Sequence, residues 1–186
     1  MTPLPPSTDH IRAVTEAYLA RHPDERDSLA MLFAALISTH DPTSRKTFPA
    51  HVTCSVILIN GELQVLHVLH KASGKLLAPG GHNEPSDQYL RDAALRELHE
   101  ETGIPPSALV SLAGHEDVPL DIDVHAIDAN PWKNEPAHHH VDFRWAFHLG
   151  ADHAVTLQEE EVDGYQWRPF ATTASPTVRA KLAQLA

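Results

Sequence analysis

Three glutamates in the segment LRDAALRELHEETGI, Glu97, Glu100 and Glu101, are spaced i, i+3 and i+4. At about 100° per residue, Glu97 and Glu101 project into one sector of a helix with Glu100 beside them. Leu90, Ala94 and Leu98 form an adjoining apolar edge, while Arg91, Asp92, Arg96 and His99 take much of the remaining circumference. A solvated face is therefore available, and the three carboxylates are not all on it. Crowded carboxylates repel one another and need compensation. Hard oxygen ligands on one helix face suit a divalent cation such as Mg²⁺, which shares its remaining positions with phosphate oxygens. The alternative is a charged, solvent-facing helix end braced by an Arg96–Glu100 pair at i, i+4.

Gly80-Gly81 precedes this helix and Gly103 follows it, so backbone can approach a ligand closely at the front and the helix can stop at the back. Glu84, in the intervening loop, either hydrogen-bonds the loop backbone or joins a metal shell. The run Glu159-Glu160-Glu161 is either a solvated charge run or the source of a general base. His138-His139-His140 opens a strand pattern whose alternation sets His138 and His140 on one face with Asp142, Arg144 and His148. That set either binds a softer metal or lines a cleft where imidazoles and Arg144 meet phosphate, ribose or base. His82, beside the glycines, is a further cleft candidate, and Trp132, Tyr165 or Trp167 could stack on a base.

The elements that must hold these residues are legible from periodicity. Residues 1 to 8 are rich in Pro, Ser and Thr and are expected to fray. Ile11, Val14, Tyr18 and Leu19 recur at helical spacing behind Thr8 or Asp9 as cap. A second helix is expected from Glu25 to Ser38 on a stripe of Leu29, Leu32, Phe33, Leu36 and Ile37, giving a helical hairpin. The segment HDPTSRKTFPA reads as a linker, so the division is residues 1–46 for a helical extension and linker and 47–186 for the catalytic domain. HVTCSVILIN is a strand ending at Asn60-Gly61, a strong hairpin signal, with ELQVLHVLH as its partner. PLDIDVHAID and HHHVDFRWAFHL are two strands joined by a loop containing NPWKNEP, and Val141, Phe143, Trp145 and Phe147 share the core face of the second. A last strand follows the acidic run, and SPTVRAKLAQLA closes as a helix with Val178, Leu182 and Leu185 on one face. Strands interleaved with helices give an α/β or α+β layered domain.

Composition bounds the function. The 186 residues suit one domain with a modest extension. The formal net charge is −11 with no dense basic run, which argues against long nucleic acid and requires something other than surface lysines to offset a phosphate ligand. The single cysteine, Cys54, excludes an internal disulfide and reads as a small core residue in a reducing compartment. The chain has neither a basic leader with an apolar stretch nor about 18 uninterrupted apolar residues, so a cytoplasmic protein with no membrane partner is expected.

Arg96-Glu97-Leu98-His99-Glu100-Glu101-Thr102-Gly103-Ile104 resembles the second half of the Nudix hydrolase box without a gap. The front half departs from it. Gly81 to Arg96 is one residue too long, and the family's loop glutamate is replaced, with Asp87 the favoured acidic substitute. The GGHxEPxD loop and the helical front end look like a bacterial Nudix subgroup. The resemblance implies a Nudix-like α/β/α sandwich with a mixed β-sheet and a Mg²⁺- or Mn²⁺-dependent hydrolase of a nucleoside diphosphate linked to another group X. ADP-ribose or an NDP-sugar is favoured; the alternatives are nucleoside triphosphate pyrophosphohydrolysis or a non-catalytic nucleotide-binding module. It further implies Gly81, Glu97, Glu100 and Glu101 at the metal, Arg96 orienting the carboxylates, and Glu161 as a candidate base. The expected partner is a small nucleotide, contacted by His82, Glu84, His138, His140 and Arg144; a homodimer stays open.

Overall fold

The computed structural model describes residues 5–71, 73–150, 153–173 and 175–184; the readings made of residues 1–4 and of Leu185 lie outside them. Helix α1 spans Thr8–Leu19 and buries Ile11, Val14, Tyr18 and Leu19. Its cap is Ser7, one residue ahead of the expected Thr8 or Asp9: Ser7 is extended and its hydroxyl accepts the His10 N–H at 3.1 Å. The second helix starts later than its apolar stripe suggests. Two short 3₁₀ turns, Pro23–Glu25 and Asp27–Leu29, precede α2 at Ala30–Ile37. No side chain caps these starts, and the Ser28 hydroxyl bonds the Glu25 carbonyl instead, so the backbone settles into tight turns. Ile37, placed on the stripe by spacing, is 80% exposed at the helix end.

The strands are β1 (Ala50–Ile59), β2 (Gln64–His70), β3 (Lys75–Leu77) and β4 (Gly80–His82) before helix α3 (Leu90–Thr102). After it come β5 (Leu109–Ser111), β6 (Asp121–Ile127), β7 (His138–Leu149), β8 (Val162–Pro169) and helix α4 (Pro176–Ala183). All eight strands join one mixed sheet. At its centre β1 runs parallel to β7, from Ala50 opposite His139 to Ile59 opposite His148. On its other edge β1 meets β4, with Thr53 opposite His82 and Ser55 opposite Gly80, and then β2 at the hairpin. The β1–β2 turn forms at Asn60, whose side chain accepts the N–H groups of Glu62 and Gln64; Leu63, not Gly61, takes the positive φ, 57°.

Alternation along β1 sorts the layers. Val52, Cys54, Val56 and Leu58 join Phe143, Trp145 and Phe147 in a core closed by α3 and by Ile11, Tyr18, Leu32 and Leu36 of the first two helices. Ile57 and Ile59 face the other way, onto Ala146 and onto Val178 and Leu182 of α4. Helices thus cover both faces of a mixed sheet, and β1 is buried along its whole length. No helix of the described residues is long and apolar enough to cross a membrane.

Candidate active site

Helix α3 is held at both ends. Asp92 accepts the Tyr89 N–H at 3.1 Å at its start, and Gly103 closes its end with φ +69° and an N–H to the His99 carbonyl. Its apolar edge, Leu90, Ala94 and Leu98, is fully buried against the sheet. That anchoring turns the glutamates toward the Gly80-Gly81 strand. A Cβ on Gly81 would fall 2.6 Å from the Glu97 carboxylate, so only glycine leaves room there. The Gly80 N–H donates to Glu101 Oε2 at 3.1 Å.

The three glutamates differ in environment. Glu101 is buried, the Glu97 side chain is 13% exposed, and that of Glu100 is 47% exposed. Burial pushes Glu97 up to about 7, with Glu100 and Glu161 adding repulsion against the attraction of Arg96. Burial also raises Glu101 to about 8; the Gly80 N–H opposes this, and Glu97, Glu161 and Glu100 reinforce it. Two largely shielded carboxylates that resist ionisation beside a third form a hard-oxygen donor set that the single Arg96 guanidinium neutralises only in part. A divalent cation fits that chemistry.

Arg96 is the hub of the loop. Its guanidinium forks onto Asp87, Nε to Oδ1 at 3.1 Å and a terminal nitrogen to Oδ2 at 3.0 Å, and donates to the His82 carbonyl at 2.8 Å. Its other terminal nitrogen donates to Glu97 at 3.0 Å and Glu100 at 2.9 Å. Asp87 thus provides the acidic partner in the expanded loop, and it also accepts the Glu84 N–H at 2.7 Å. The Glu84 side chain itself is exposed. Across the site, Thr156 and Gln158 donate N–H groups to the carbonyls of Thr102 and Glu101, laying the following segment along the end of α3. That course brings the exposed Glu161 close enough for its charge to act on Glu97 and Glu101.

The other predicted contacts fall on the opposite face of the sheet. Arg144 does not present a free fork. Its guanidinium donates to Asp121 at 3.1 Å, Asp123 at 2.8 Å and Asp142 at 3.0 Å, so burial and three carboxylates commit it to the fold. Asp142 also accepts the Ser55 hydroxyl at 2.7 Å, which removes it from a metal trio with His138 and His140. His51, unnoticed in the sequence, takes that place, because the parallel register sets it directly beside His140. His82 stands with them, its Nε2 3.1 Å from His51 Nε2, and burial with the neighbouring His51 pulls its pKa down to about 4. Trp132 is 99% exposed and Tyr165 is exposed. Alternation in β6 could have exposed the Asp121–Asp123 cage, but neither partner strand nor register is readable from one segment.

The NUDIX domain family model matches residues 49–185. The chain belongs to the Nudix family. A relative from Lactococcus lactis subsp. cremoris (strain MG1363), described as a probable DHNTP pyrophosphohydrolase, is 29% identical over 126 residues, covering 68% of this chain and 71% of its own. The Ap4A hydrolase of C. elegans, solved as a binary complex, superposes with a TM-score of 0.56 at 17% identity, over 72% of this chain and 95% of that one. A Nudix-family hydrolase from Clostridium perfringens gives 0.54 at 21% identity, over 73% and 98%. The E. coli dihydroneopterin triphosphate pyrophosphohydrolase gives 0.51 at 17%, over 72% and 92%. At these identities the solved structures speak for the fold.

Proposed function

We propose that this chain hydrolyses the diphosphate linkage of a small nucleoside diphosphate joined to another group, ADP-ribose or an NDP-sugar favoured, with Mg²⁺ or Mn²⁺ held by Glu97, Glu100, Glu101 and the Gly81 carbonyl. The observation that carries it is the packing of Glu97 and Glu101 against a glycine strand with their pKa values raised to about 7 and 8, an arrangement that Arg96 offsets only in part and a divalent cation would complete. When bound, the cation supplies charge neutralisation for the diphosphate oxygens and acidifies water. The chain's own groups do the rest. Arg96 fixes Glu97 and Glu100 relative to Asp87 and the His82 carbonyl, so the donors are positioned before substrate arrives. Glu161 accepts the proton of the attacking water from across the site. Water's oxygen bonds to one phosphorus, the bridging P–O bond breaks, and two monophosphates leave. His82 contributes its backbone carbonyl to Arg96 while its ring turns to His51, and Glu84 lies exposed on the loop where substrate would approach.

A second reading is supported by the L. lactis relative, whose description names a triphosphate pyrophosphohydrolase. The same carboxylates would then release pyrophosphate from a nucleoside or pterin triphosphate. Product analysis separates the two: ADP-ribose, NDP-sugars, NTPs, dihydroneopterin triphosphate and Ap4A are each incubated with Mg²⁺, with Mn²⁺ and with chelator. Metal-dependent release of two monophosphates supports the first reading and pyrophosphate release the second. A folded protein that binds one of these compounds without turnover would overturn both in favour of a binding module.

A further inference from the structure

The face of the sheet opposite α3 carries a second cluster that the diphosphate chemistry does not use. His51, at the start of β1, and His138 and His140, at the start of β7, bring one ring nitrogen each within 4.8 Å of one another. The parallel register causes this, since His51 pairs with His140 and the alternating His138 lies two residues back on the same face. The rings stack at 4.9 Å between His51 and His138 and lie 4.8 Å apart between His51 and His140.

Two of the three imidazoles have their tautomer set by backbone. His51 Nδ1 lies 3.1 Å from the Thr47 carbonyl and His138 Nδ1 2.8 Å from the Pro136 carbonyl. A carbonyl can only accept, so each Nδ1 carries the proton and each Nε2 keeps a lone pair directed away from the loop. A carbonyl behind a histidine is how metal-ligating imidazoles are oriented. His140 has no hydrogen bond at either ring nitrogen among the described residues, and one of those nitrogens already lies within the same group. His51 and His138 are almost fully buried, with Phe48 against both rings, so the ligands are held in a sheltered place. Arg45 and Glu135, whose charges act in opposite senses on His51 and His82, pair with each other at 3.0 Å and largely offset one another there.

We propose that His51, His138 and His140 form a site for a borderline transition-metal ion of the Zn²⁺ class, separate from the carboxylate site. Imidazole nitrogens favour such ions, and Mg²⁺ favours the oxygens of α3, so the two sites sort cations by ligand chemistry. Three histidines leave a fourth position for water or a ligand oxygen. Occupation takes the His51 lone pair and so breaks the His82–His51 contact. Because the His82 carbonyl holds Arg96, the second site is mechanically joined to the first.

The full-length, metal-stripped chain titrated with Co²⁺ tests this. One Co²⁺ per chain is expected to give visible d–d bands of a four-coordinate site, bleached by Zn²⁺ and not by excess Mg²⁺. The bands should persist in Glu97→Gln/Glu100→Gln, and affinity should fall about 100-fold or more in His138→Ala and His140→Ala. Absorption-edge fine structure of the Zn²⁺-loaded wild type reads the ligands without any variant, and about three imidazole nitrogens at ~2.0–2.1 Å are expected. No saturable band, a band lost in the glutamate variant but kept in the histidine variants, or an oxygen-only shell would each overturn the proposal.

Discussion

Arg96 divides the three glutamates into different roles. It draws Glu97 and Glu100 together through one terminal nitrogen while the rest of its fork is spent on Asp87 and the His82 carbonyl; Glu101 is left to the Gly80 N–H. Arg96→Lys keeps the charge and loses the fork, so turnover is expected to fall by about 10–100-fold with secondary structure intact, measured by steady-state kinetics and circular dichroism. Gly81→Ala should be at least as damaging to metal affinity, because its Cβ would meet the Glu97 carboxylate at 2.6 Å; Mn²⁺ titration reads this directly. The raised carboxyls give a signed pH dependence. With Glu97 at about 7 and Glu101 at about 8 against an ordinary 4.5, the folded chain binds more protons than the unfolded one in that interval. Their contribution to stability is full below about 4.5 and is lost progressively as pH rises from there through 7 and 8. Denaturant unfolding of the metal-free protein should show that decline. Added Mg²⁺ should stabilise the protein more at about pH 8.5 than at about pH 6, since the ion competes with the protons.

At the scale of elements, the helix carrying the glutamates was the most legible part of the chain. Its apolar edge, its glycine stop and the crowding of Glu97, Glu100 and Glu101 follow from spacing alone, and the core face of β7 follows from alternation. What spacing could not supply is which strands are neighbours. The parallel pairing of β1 with β7, sequence-distant and without a turn to announce it, puts His51 beside His140 and Ser55 beside Arg144. The Arg144 cage likewise needs β6 in register with β7, so a free arginine was expected where a committed one is found. The same face shows a second tie: Lys181 of α4, nearly buried, donates to Asp121 at 2.7 Å and to Glu25 at 3.0 Å, and also contacts Tyr18 of α1. Removing that ammonium leaves carboxylates without their partner. Lys181→Met is therefore expected to cost about 3 kcal/mol in denaturant unfolding, and a neutral result would mean that solvent already screens the pair.

Across the whole molecule, the N-terminal helices and the sheet share one core, since Ile11, Tyr18, Leu32 and Leu36 pack with β1, α3 and β7 residues. Deleting residues 1–40 should therefore lower the unfolding midpoint sharply or give aggregates, checked by thermal melts and sizing; unchanged melting would show that these helices serve something other than the core. The formal charge of −11 bears on the chemistry as well. A net-negative protein that takes a polyphosphate needs local positive charge, and among the residues at the candidate site Arg96 is already committed to carboxylates. A cation gathered by α3 resolves that conflict. The most direct test is turnover of one cleaved diphosphate substrate by wild type, Glu100→Gln and Glu101→Gln at saturating Mg²⁺, with folding followed in parallel. Both variants should stay folded and lose about 100-fold or more in kcat. Folded variants with wild-type turnover would contradict the central claim that these carboxylates hold the cation for diphosphate cleavage.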